Sequence, residues 1–463
     1  MADIFLIYGL ADYVANLKYE DLSTRAIEVA KQCILDSYGN MVFGRYCEAS
    51  EKFMEYVDAA DAVPCNEPVV SLLGTEKRMT NKETAVFAHT MMARSADLDD
   101  GYAHAMGHPG SGLVPLLLSM AQLYEKKGKD MIAALVAAYD VYARLGEAVN
   151  PFMYRERGFD ATGVCGAVAA AAMVSKMAGA SAEKTKDAMG LASLFTGGLI
   201  EYQNDGTSGK IMCSGWGTLT ALRAVRLASC GFTGPNAALE GRYGFFQAFK
   251  GTSGYLNMDN VLTDLGKDFK ITKIYFKRHA CQRGLHAILD AVLELRDKNK
   301  LTIDKVKSVD VRTSTFVLRL ANPTPKTAVG AQASTQFTSA IALKYGRMDS
   351  EEIVFKSFND PEIIDLAKQI HVIKDDEVQE YLNNNPTHFC AAKVIIETTE
   401  GQRYEKFAPI PLGDVETPFG WDMLKTKFGN LIEGTPFEAK KEELYNTIAN
   451  LEQAQDVNRL FIA

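Results

Sequence analysis

Residues 97–108 read Asp97-Leu98-Asp99-Asp100-Gly101-Tyr102-Ala103-His104-Ala105-Met106-Gly107-His108, and Pro109 follows. This stretch, here called the acid–histidine segment, places three carboxylates and two imidazoles between two apolar stretches. Upstream, Thr80-Asn81-Lys82-Glu83 has the form of a capping box and predicts a helix that begins there. Downstream, the apolar residues 112–118 predict a second helix. Polar groups crowded between apolar helices are costly unless they are paired or used, so the segment is the first candidate for a functional site.

The composition is that of an ordinary globular protein. The 463 residues suit two or three domains, and 47% of them are apolar and 23% charged. The net charge of -8 argues against nucleic acid or an anionic membrane as the main partner, but it allows an acidic small molecule in a local basic pocket. The eight cysteines form no Cys-x-x-Cys pair and are typical of reduced thiols. With neither a signal peptide nor a membrane-length apolar run evident, we expect a cytoplasmic protein.

The first 250 residues have mostly helical apolar spacing. Residues 69–74 interrupt it and predict a short strand or connector. Residues 201–216 are rich in glycine, serine and aspartate and predict a loop that holds one isolated cation, Lys210. If the helix before the acid–histidine segment continues into it, Asp97 and Asp100 lie on one helix face, since they are three residues apart.

The period of the pattern changes near residue 270. Residues 271–276 and 306–313 alternate as strands do, and residues 391–398 and 403–407 predict a hairpin. Residues 421–451 return to helical spacing. The sequence therefore predicts a mainly α protein with an α+β module inserted between helical parts.

Six separated blocks of the chain resemble the MmgE/PrpD family, which includes 2-methylcitrate dehydratase, cis-aconitate decarboxylase and iminodisuccinate epimerase. The blocks are Cys33 to Gly39, Asp97 to Asp100 with His108-Pro109, Gly158-Phe159 with Thr162-Gly163, Asp205-Gly206 with Lys210, Gly231 to Phe246, and Lys277 to His286. The resemblance implies a large all-helical domain formed by residues 1–268 and 408–463 and a smaller α+β lid domain of residues 269–407. It also implies an active site between the domains, a homodimer, and no metal or other cofactor.

The family reactions remove a proton next to a carboxylate, or form an equivalent carbanion, which requires a base and cations. The resemblance assigns the acid/base role to His108, and an imidazole is the usual proton shuttle near neutral pH. Asp97 and Asp100 would orient this imidazole or bind substrate. Lys210 would bind a substrate carboxylate or donate a proton, and Tyr154 is a candidate for a second acid/base.

The last block has the pattern Lys-x-x-x-Cys-x-Arg-x-x-His and supplies the remaining candidates. The resemblance places Lys277 and Arg283 on substrate carboxylates, and a guanidinium can hold a carboxylate with two parallel hydrogen bonds. Gln282 and His286 are expected on the substrate side as well. The expected ligand is therefore a small di- or tricarboxylate.

Each candidate also has a purely structural interpretation. His108 could be a buried histidine bonded to a carbonyl, Asp97 and Asp100 could belong to a buried polar network, and Tyr154 could be a packing residue. His104, which has no family counterpart, is better explained as structural. A metal site remains a further hypothesis, with ligands Asp97, Asp100, His104 and His108. Gly107 and Pro109 interrupt the helix that such a histidine pair normally needs.

Four positions depart from the family pattern. Asp160 stands where some members have histidine, and Gln282 and Phe337 stand where the decarboxylase has histidine and tyrosine. These losses argue against decarboxylation, and Gly101 replaces a common threonine. We therefore expect a lyase like 2-methylcitrate dehydratase, with an epimerase like iminodisuccinate epimerase or a non-catalytic polycarboxylate binder as alternatives.

Overall fold

The structure is a computed structural model that describes residues 5–47, 49–61, 69–74, 79–385 and 388–463. The N-terminal half is built from helices α1 (Leu6–Asn16), α2 (Thr24–Tyr46), α3 (Ser50–Asp61), α4 (Lys82–Ser95), α5 (Gly110–Leu123), α6 (Gly128–Val149), α7 (Phe152–Arg155), α8 (Ala161–Met177), α9 (Ala182–Leu194), α10 (Tyr202–Asp205), α11 (Gly209–Ser229) and α12 (Phe245–Phe249). The C-terminal part adds α13 (His286–Asn299), α14 (Thr315–Leu318), α15 (Ala328–Ala331), α16 (Thr335–Tyr345), α17 (Glu351–Ser357), α18 (Pro361–Lys368), α19 (Asp376–Asn384), α20 (Trp421–Ile432) and α21 (Lys441–Ala449). The mainly helical class is confirmed.

A mixed sheet of four strands lies in the C-terminal region. Its strands are β3 (Val306–Thr313), β4 (Ile370–Lys374), β5 (Ala392–Thr398) and β6 (Arg403–Ala408), in the spatial order β4-β3-β5-β6. β3 pairs in parallel with β4 and antiparallel with β5, and β5 and β6 form a hairpin. The strand predicted at 306–313 and the hairpin that follows are both confirmed. In β3 the valines at 306, 309 and 311 are buried, so one face of the sheet covers a core.

The buried apolar side chains form two large clusters. One cluster is drawn from residues 7–276 and 419–461, so both ends of the chain contribute to it. The other is drawn from residues 281–408 and packs helices against the mixed sheet. The division into domains at residues 268/269 and 407/408 stays a prediction. Within the described ranges, every helix is too short or too polar to cross a membrane.

The strand predicted at 271–276 is wrong. Residues Lys270–Lys273 form a 3-10 turn, and only Tyr275 makes a bridge, to Gly101. Lys270, Ile271 and Ile274 to Phe276 are all buried, and the backbone N–H of Lys270 donates to Asp140 Oδ1 at 2.6 Å. Thr272 and Lys273 remain partly exposed. Apart from the bridge of Tyr275, no strand of the described residues pairs with the segment, so it does not form a strand.

The loop predicted at 201–216 is also wrong. Residues 202–205 are helical, Gly206 turns with a φ of 64°, and α11 begins at Gly209. The glycines of α11 serve close helix packing: a Cβ at Gly217 would lie 3.0 Å from the carbonyl oxygen of Gly163 in α8. A small-residue composition at a helix–helix contact was thus mistaken for loop composition.

Two smaller expectations need correction. Asn81, not Thr80, caps α4, because its side chain accepts the hydrogen bond from the N–H of Thr84. The part predicted as all-helical contains a short antiparallel ladder between β1 (Val69–Ser71) and β2 (Met79–Asn81). The strand alternative at 69–74 is therefore correct for its first three residues.

Candidate active site

The acid–histidine segment folds back on itself between α4 and α5. α4 ends at Ser95, and Asp97 then adopts a φ of 55°, a left-handed conformation that aspartate holds more readily than most non-glycine residues. The N–H of Tyr102 donates to the carbonyl of Gly107 at 2.9 Å and closes the turn. Asp97 and Asp100 are therefore not on one helix face as predicted, since the helix stops before both.

Asp97 lies between two lysines that come from distant parts of the chain. Its Oδ2 is 2.5 Å from Lys210 Nζ at the start of α11, and its Oδ1 is 2.5 Å from Lys277 Nζ. Burial alone would raise the pKa of Asp97, but Lys210 and Lys277 outweigh it and hold the pKa at about 2. Lys277 is buried, whereas the Lys210 side chain is 19% exposed. Lys210 is therefore the cation of this group that a ligand can reach.

A second ion-pair group adjoins the first. Arg94, at the end of α4, lies 2.5 Å from Asp99 and 3.6 Å from Asp160, and its Nε donates to the carbonyl of Lys210. Asp160 caps α8 through the N–H of Thr162 and also accepts a hydrogen bond from Tyr202 at 2.7 Å. The carboxylate at the position of the family histidine is thus held by internal partners.

His108 is a partly buried titratable group beside these charges, with its Nδ1 3.7 Å from Asp99 Oδ2. Its Nδ1 is 2.7 Å from the carbonyl oxygen of Asp100, and a carbonyl can only accept, so the proton of the neutral ring lies on Nδ1. Nε2 then carries the free lone pair. Burial lowers the pKa of His108 to about 4, although Asp99 opposes the shift. With 17% of its side chain exposed, His108 is a neutral imidazole whose basic nitrogen is available at neutral pH.

Asp100 faces inward. Its Oδ1 accepts from the N–H of Gly110 at the start of α5, and its Oδ2 accepts from the hydroxyl of Tyr139 at 2.6 Å. The residue is 2% exposed, and burial raises the pKa of its carboxyl to about 7. Asp100 therefore fixes the turn that carries His108, because its backbone carbonyl holds the imidazole while its side chain is tied to α5 and α6.

We expect Asp100→Asn to change how stability depends on pH. A carboxyl whose folded pKa is raised stabilises the fold at low pH, and this contribution is lost as pH rises from about 4 to about 7. The amide does not titrate, so the variant does not lose this contribution. The free energy of unfolding of the variant minus that of the parent should therefore rise by about 2–3 kcal/mol from pH 5 to pH 8. Denaturant unfolding at both pH values measures the difference. Asp365→Asn, at an exposed position of α18, is the control. Parallel pH dependences of Asp100→Asn and the parent would contradict the prediction.

Arg283 reaches the site through Tyr275. Its guanidinium lies 4.1 Å above the ring of Tyr275, and that ring is nearly perpendicular to the ring of His108 at a centroid distance of 6.4 Å. One nitrogen pairs with Asp414 at 2.5 Å, while Nε and Nη1 have no hydrogen-bond partner among the described residues. Gly101 makes room for Tyr275, because a Cβ there would lie 2.2 Å from the ring. The replacement of the family threonine thus has a steric reason.

Three predicted site residues lie outside the ion-pair groups. Gln282 Oε1 accepts from the N–H of Gly284 and caps a short turn. His286 is fully buried next to His279, and burial lowers its pKa far below the usual value. Tyr154 bonds to Gln203 at 3.0 Å, and burial raises its pKa to about 12. Five predicted residues thus lie together in one group: His108, Asp97, Asp100, Lys210 and Lys277. Arg283 contacts this group through Tyr275, whereas Gln282, His286 and Tyr154 lie apart from it.

Sequence reasoning missed Arg94, Asp99, Tyr139 and Tyr275. A single arginine in the last turn of an otherwise apolar helix was the one local signal for Arg94, because such a charge must find a partner. The metal alternative gains no support from the geometry: His104 is exposed, and no three His, Cys, Asp or Glu side chains in the described ranges converge as metal ligands.

Comparisons with known proteins cover nearly the whole chain. The MmgE/PrpD N-terminal domain matches residues 9–255, and the MmgE/PrpD C-terminal domain matches residues 279–453. A cis-aconitate decarboxylase-like protein of Aspergillus oryzae is 25% identical over 97% of this chain and 95% of its own length. The cis-aconitate decarboxylase of Aspergillus terreus is 23% identical over 97% and 94%. The mitochondrial 2-methylcitrate dehydratase of Yarrowia lipolytica is 24% identical over 95% and 86%. The chain belongs to the MmgE/PrpD family.

Proposed function

We propose that this protein is a metal-independent lyase that acts on a small di- or tricarboxylate by proton transfer at the carbon α to a carboxylate. Dehydration of a hydroxy acid, in the manner of 2-methylcitrate dehydratase, is the leading reaction. The observation that carries the proposal is the orientation of His108: the Asp100 carbonyl holds Nδ1–H at 2.7 Å and leaves Nε2 as a free base. The relatives are named for reactions of polycarboxylates, which agrees with this substrate class.

In the proposed step the α-proton moves to His108 Nε2, and the electrons of the C–H bond enter the adjacent carboxylate. Lys210, backed by Lys277, stabilises the negative charge that accumulates there, as preorganised cations do. Burial lowers the pKa of Lys210, so its ammonium can also give a proton to a departing β-hydroxyl. Arg283 is the proposed ligand of a second carboxylate, because two of its buried nitrogens, Nε and Nη1, have no hydrogen-bond partner among the described residues.

Decarboxylation is the second candidate, because several relatives are named cis-aconitate decarboxylase. It would form a carbanion at the same place by loss of CO₂, and that carbon would then need a proton, which a neutral His108 with a lowered pKa does not carry at neutral pH. Asp160 and Phe337 argue against it: the first is bonded to Tyr202 and Thr162, and the second is buried against Phe358. Neither offers a free imidazole or phenol to the reaction.

Proton NMR in D₂O tests the proposal. The panel consists of methylcitrate, citrate, cis-aconitate, malate and iminodisuccinate. We expect deuterium at an α-carbon together with new alkene signals from a hydroxy acid. Loss of CO₂ would favour decarboxylation, and exchange with stereochemical scrambling would favour an epimerase. Chemical-shift changes on binding without any turnover would support a binder and contradict the lyase.

The protein is further proposed to act as a homodimer. Three neighbouring apolar side chains are strongly exposed: Leu194, Phe195 and Leu199, at 53%, 72% and 63%. Such a patch is typical of an interaction surface. Phe195→Asp should therefore halve the mass measured by light scattering after gel filtration, because it buries a charge in the interface. Ile373→Asp, on the exposed side of β4, should keep the parental mass; a parent that is already monomeric would refute the assignment.

A further inference from the structure

Two arginines from distant parts of the chain meet on one aromatic ring. Arg155 ends α7, and Arg319 directly follows α14. Each guanidinium lies 5.0 Å from the centroid of the Phe316 ring. Both arginines are exposed, and the ring packs against Phe389 at a centroid distance of 5.8 Å. Two positive charges are therefore held close together at a surface that a ligand can reach.

The described part of the chain supplies no counter-ion for this arginine pair, since neither guanidinium has an ion pair or a hydrogen bond there. The acid adjacent in sequence, Glu156, is engaged elsewhere: its carboxylate accepts from the N–H and the hydroxyl of Thr252 at 2.5 and 2.6 Å. Burial and the charge of Arg319 lower the pKa of Arg155. In a chain with a net charge of -8, two adjoining cations without a carboxylate partner are a local feature that asks for an explanation.

The geometry of the pair favours a bound oxyanion. Each guanidinium is 5.0 Å from the same centroid, so the two are at most twice that distance apart, which is comparable to the Debye length of about 8–10 Å. Their repulsion is therefore only partly screened, and an anion beside the ring would turn it into attraction. Each guanidinium offers a planar fork of N–H donors, which suits carboxylate and phosphate oxygens. Two forks together offer more donors than the two oxygens of one carboxylate can use, whereas a phosphate group presents more oxygens.

We propose that Arg155 and Arg319 form a second anion site, which binds a phosphate group, either as the free ion or as part of a small phosphorylated molecule. This proposal goes beyond the lyase reaction and does not depend on it. Tyr154 lies between the two regions: burial raises its pKa to about 12, Asp160 raises it further, and the charges of Arg319 and Arg94 oppose the shift. The second anion site thus lies within electrostatic range of a tyrosine that also senses the ion-pair groups of the candidate active site.

Titration of the full-length protein with inorganic phosphate tests the proposal. Thermal unfolding is followed at constant ionic strength, which is held with sodium chloride. We expect a saturable rise in the unfolding temperature. Arg155→Gln and Arg319→Gln should each weaken the apparent affinity by about 10- to 100-fold, the usual effect of losing a charged hydrogen-bond partner. Arg403→Gln is the matched control, because it removes an exposed arginine that already pairs with Glu405 at 3.3 Å, and it should keep the parental affinity.

The variants also report on the pair without any ligand. Because the two charges repel each other, Arg319→Gln in phosphate-free buffer should unfold at the parental temperature or above it. A marked loss of stability there would mean that Arg319 has an internal partner, which contradicts the proposal. Equal stabilisation of the parent and both variants by phosphate would place the anion elsewhere, and a parent that responds to phosphate only as it does to chloride would have no such site. Either result overturns the proposal.

Two further ligands identify the source of the anion. Glycerol 3-phosphate carries the phosphate group as an ester, and succinate offers carboxylates alone. Tighter binding of glycerol 3-phosphate than of inorganic phosphate, lost in Arg319→Gln, supports a phosphorylated molecule, and the reverse order supports the free ion. Succinate should stabilise the parent and Arg319→Gln equally. If Arg319→Gln loses the succinate effect and keeps the phosphate effect, the pair binds a carboxylate and the phosphate site is wrong.

Discussion

Replacing His108 with asparagine should lower kcat by roughly 10²–10⁴-fold, the usual contribution of a general acid–base group. Asparagine is the informative substitution, because its side-chain N–H can replace Nδ1–H in the hydrogen bond to the Asp100 carbonyl, now 2.7 Å long. No atom of asparagine replaces Nε2. The ring is removed as a base while the turn that holds it is kept, so substrate affinity should change little. Deuterium incorporation by the best substrate of the NMR panel measures the loss.

His104→Asn is the matched control for this experiment. It makes the same substitution at an exposed histidine four residues earlier in the same segment, and it should retain the parental rate. A His108→Asn variant that exchanges deuterium as fast as the parent would remove His108 from the chemistry. A protein that binds carboxylates with or without His108, and never exchanges a proton, would be the non-catalytic binder.

The sequence alone allows prediction of features that depend on local pattern. Strand β3 was predicted with its observed bounds because its side chains alternate between a buried and a less buried face. Residues 271–276 alternate in the same way, yet they begin in a 3-10 turn and pair only through Tyr275. A pattern of period two reports a strand only where a neighbouring strand exists, and a single sequence does not contain that information.

The candidate site shows the same limit at longer range. The position of His108 followed from a local motif, but its orientation depends on the carbonyl of Asp100 and on Thr162, 54 residues away. Lys277 and Asp97 are 180 residues apart, so no spacing argument could pair them. Arg94 was missed for the same reason, since one of its two carboxylate partners, Asp160, caps a different helix, α8. Charge compensation in a buried site is a property of the tertiary structure.

Asp97→Asn should cause the largest loss of stability among single substitutions in this site. The carboxylate is 2.5 Å from the ammonium nitrogens of both Lys210 and Lys277, and its negative charge offsets the repulsion between them. Breaking a buried ion pair by removing one partner typically costs about 3–5 kcal/mol. The free energy of unfolding at pH 7 should fall by this amount, as measured by denaturant titration. This loss of unfolding free energy should be smaller above pH 9, because Lys210, whose pKa is lowered by burial, can release its proton once its counter-ion is gone.

Lys277→Met provides the other arm of a double-mutant cycle. It should cost less than Asp97→Asn, because Asp97 keeps Lys210 as a partner and methionine fills the buried path of the lysine stem. The double variant Asp97→Asn/Lys277→Met should be more stable than Asp97→Asn alone, since it removes the uncompensated charge. Succinate should stabilise Asp97→Asn more than the parent, because the accessible ammonium of Lys210 then lacks its carboxylate partner and can pair with a carboxylate of the ligand. Strictly additive losses in the cycle, with no added effect of succinate, would show that Asp97 does not hold this pair of cations together.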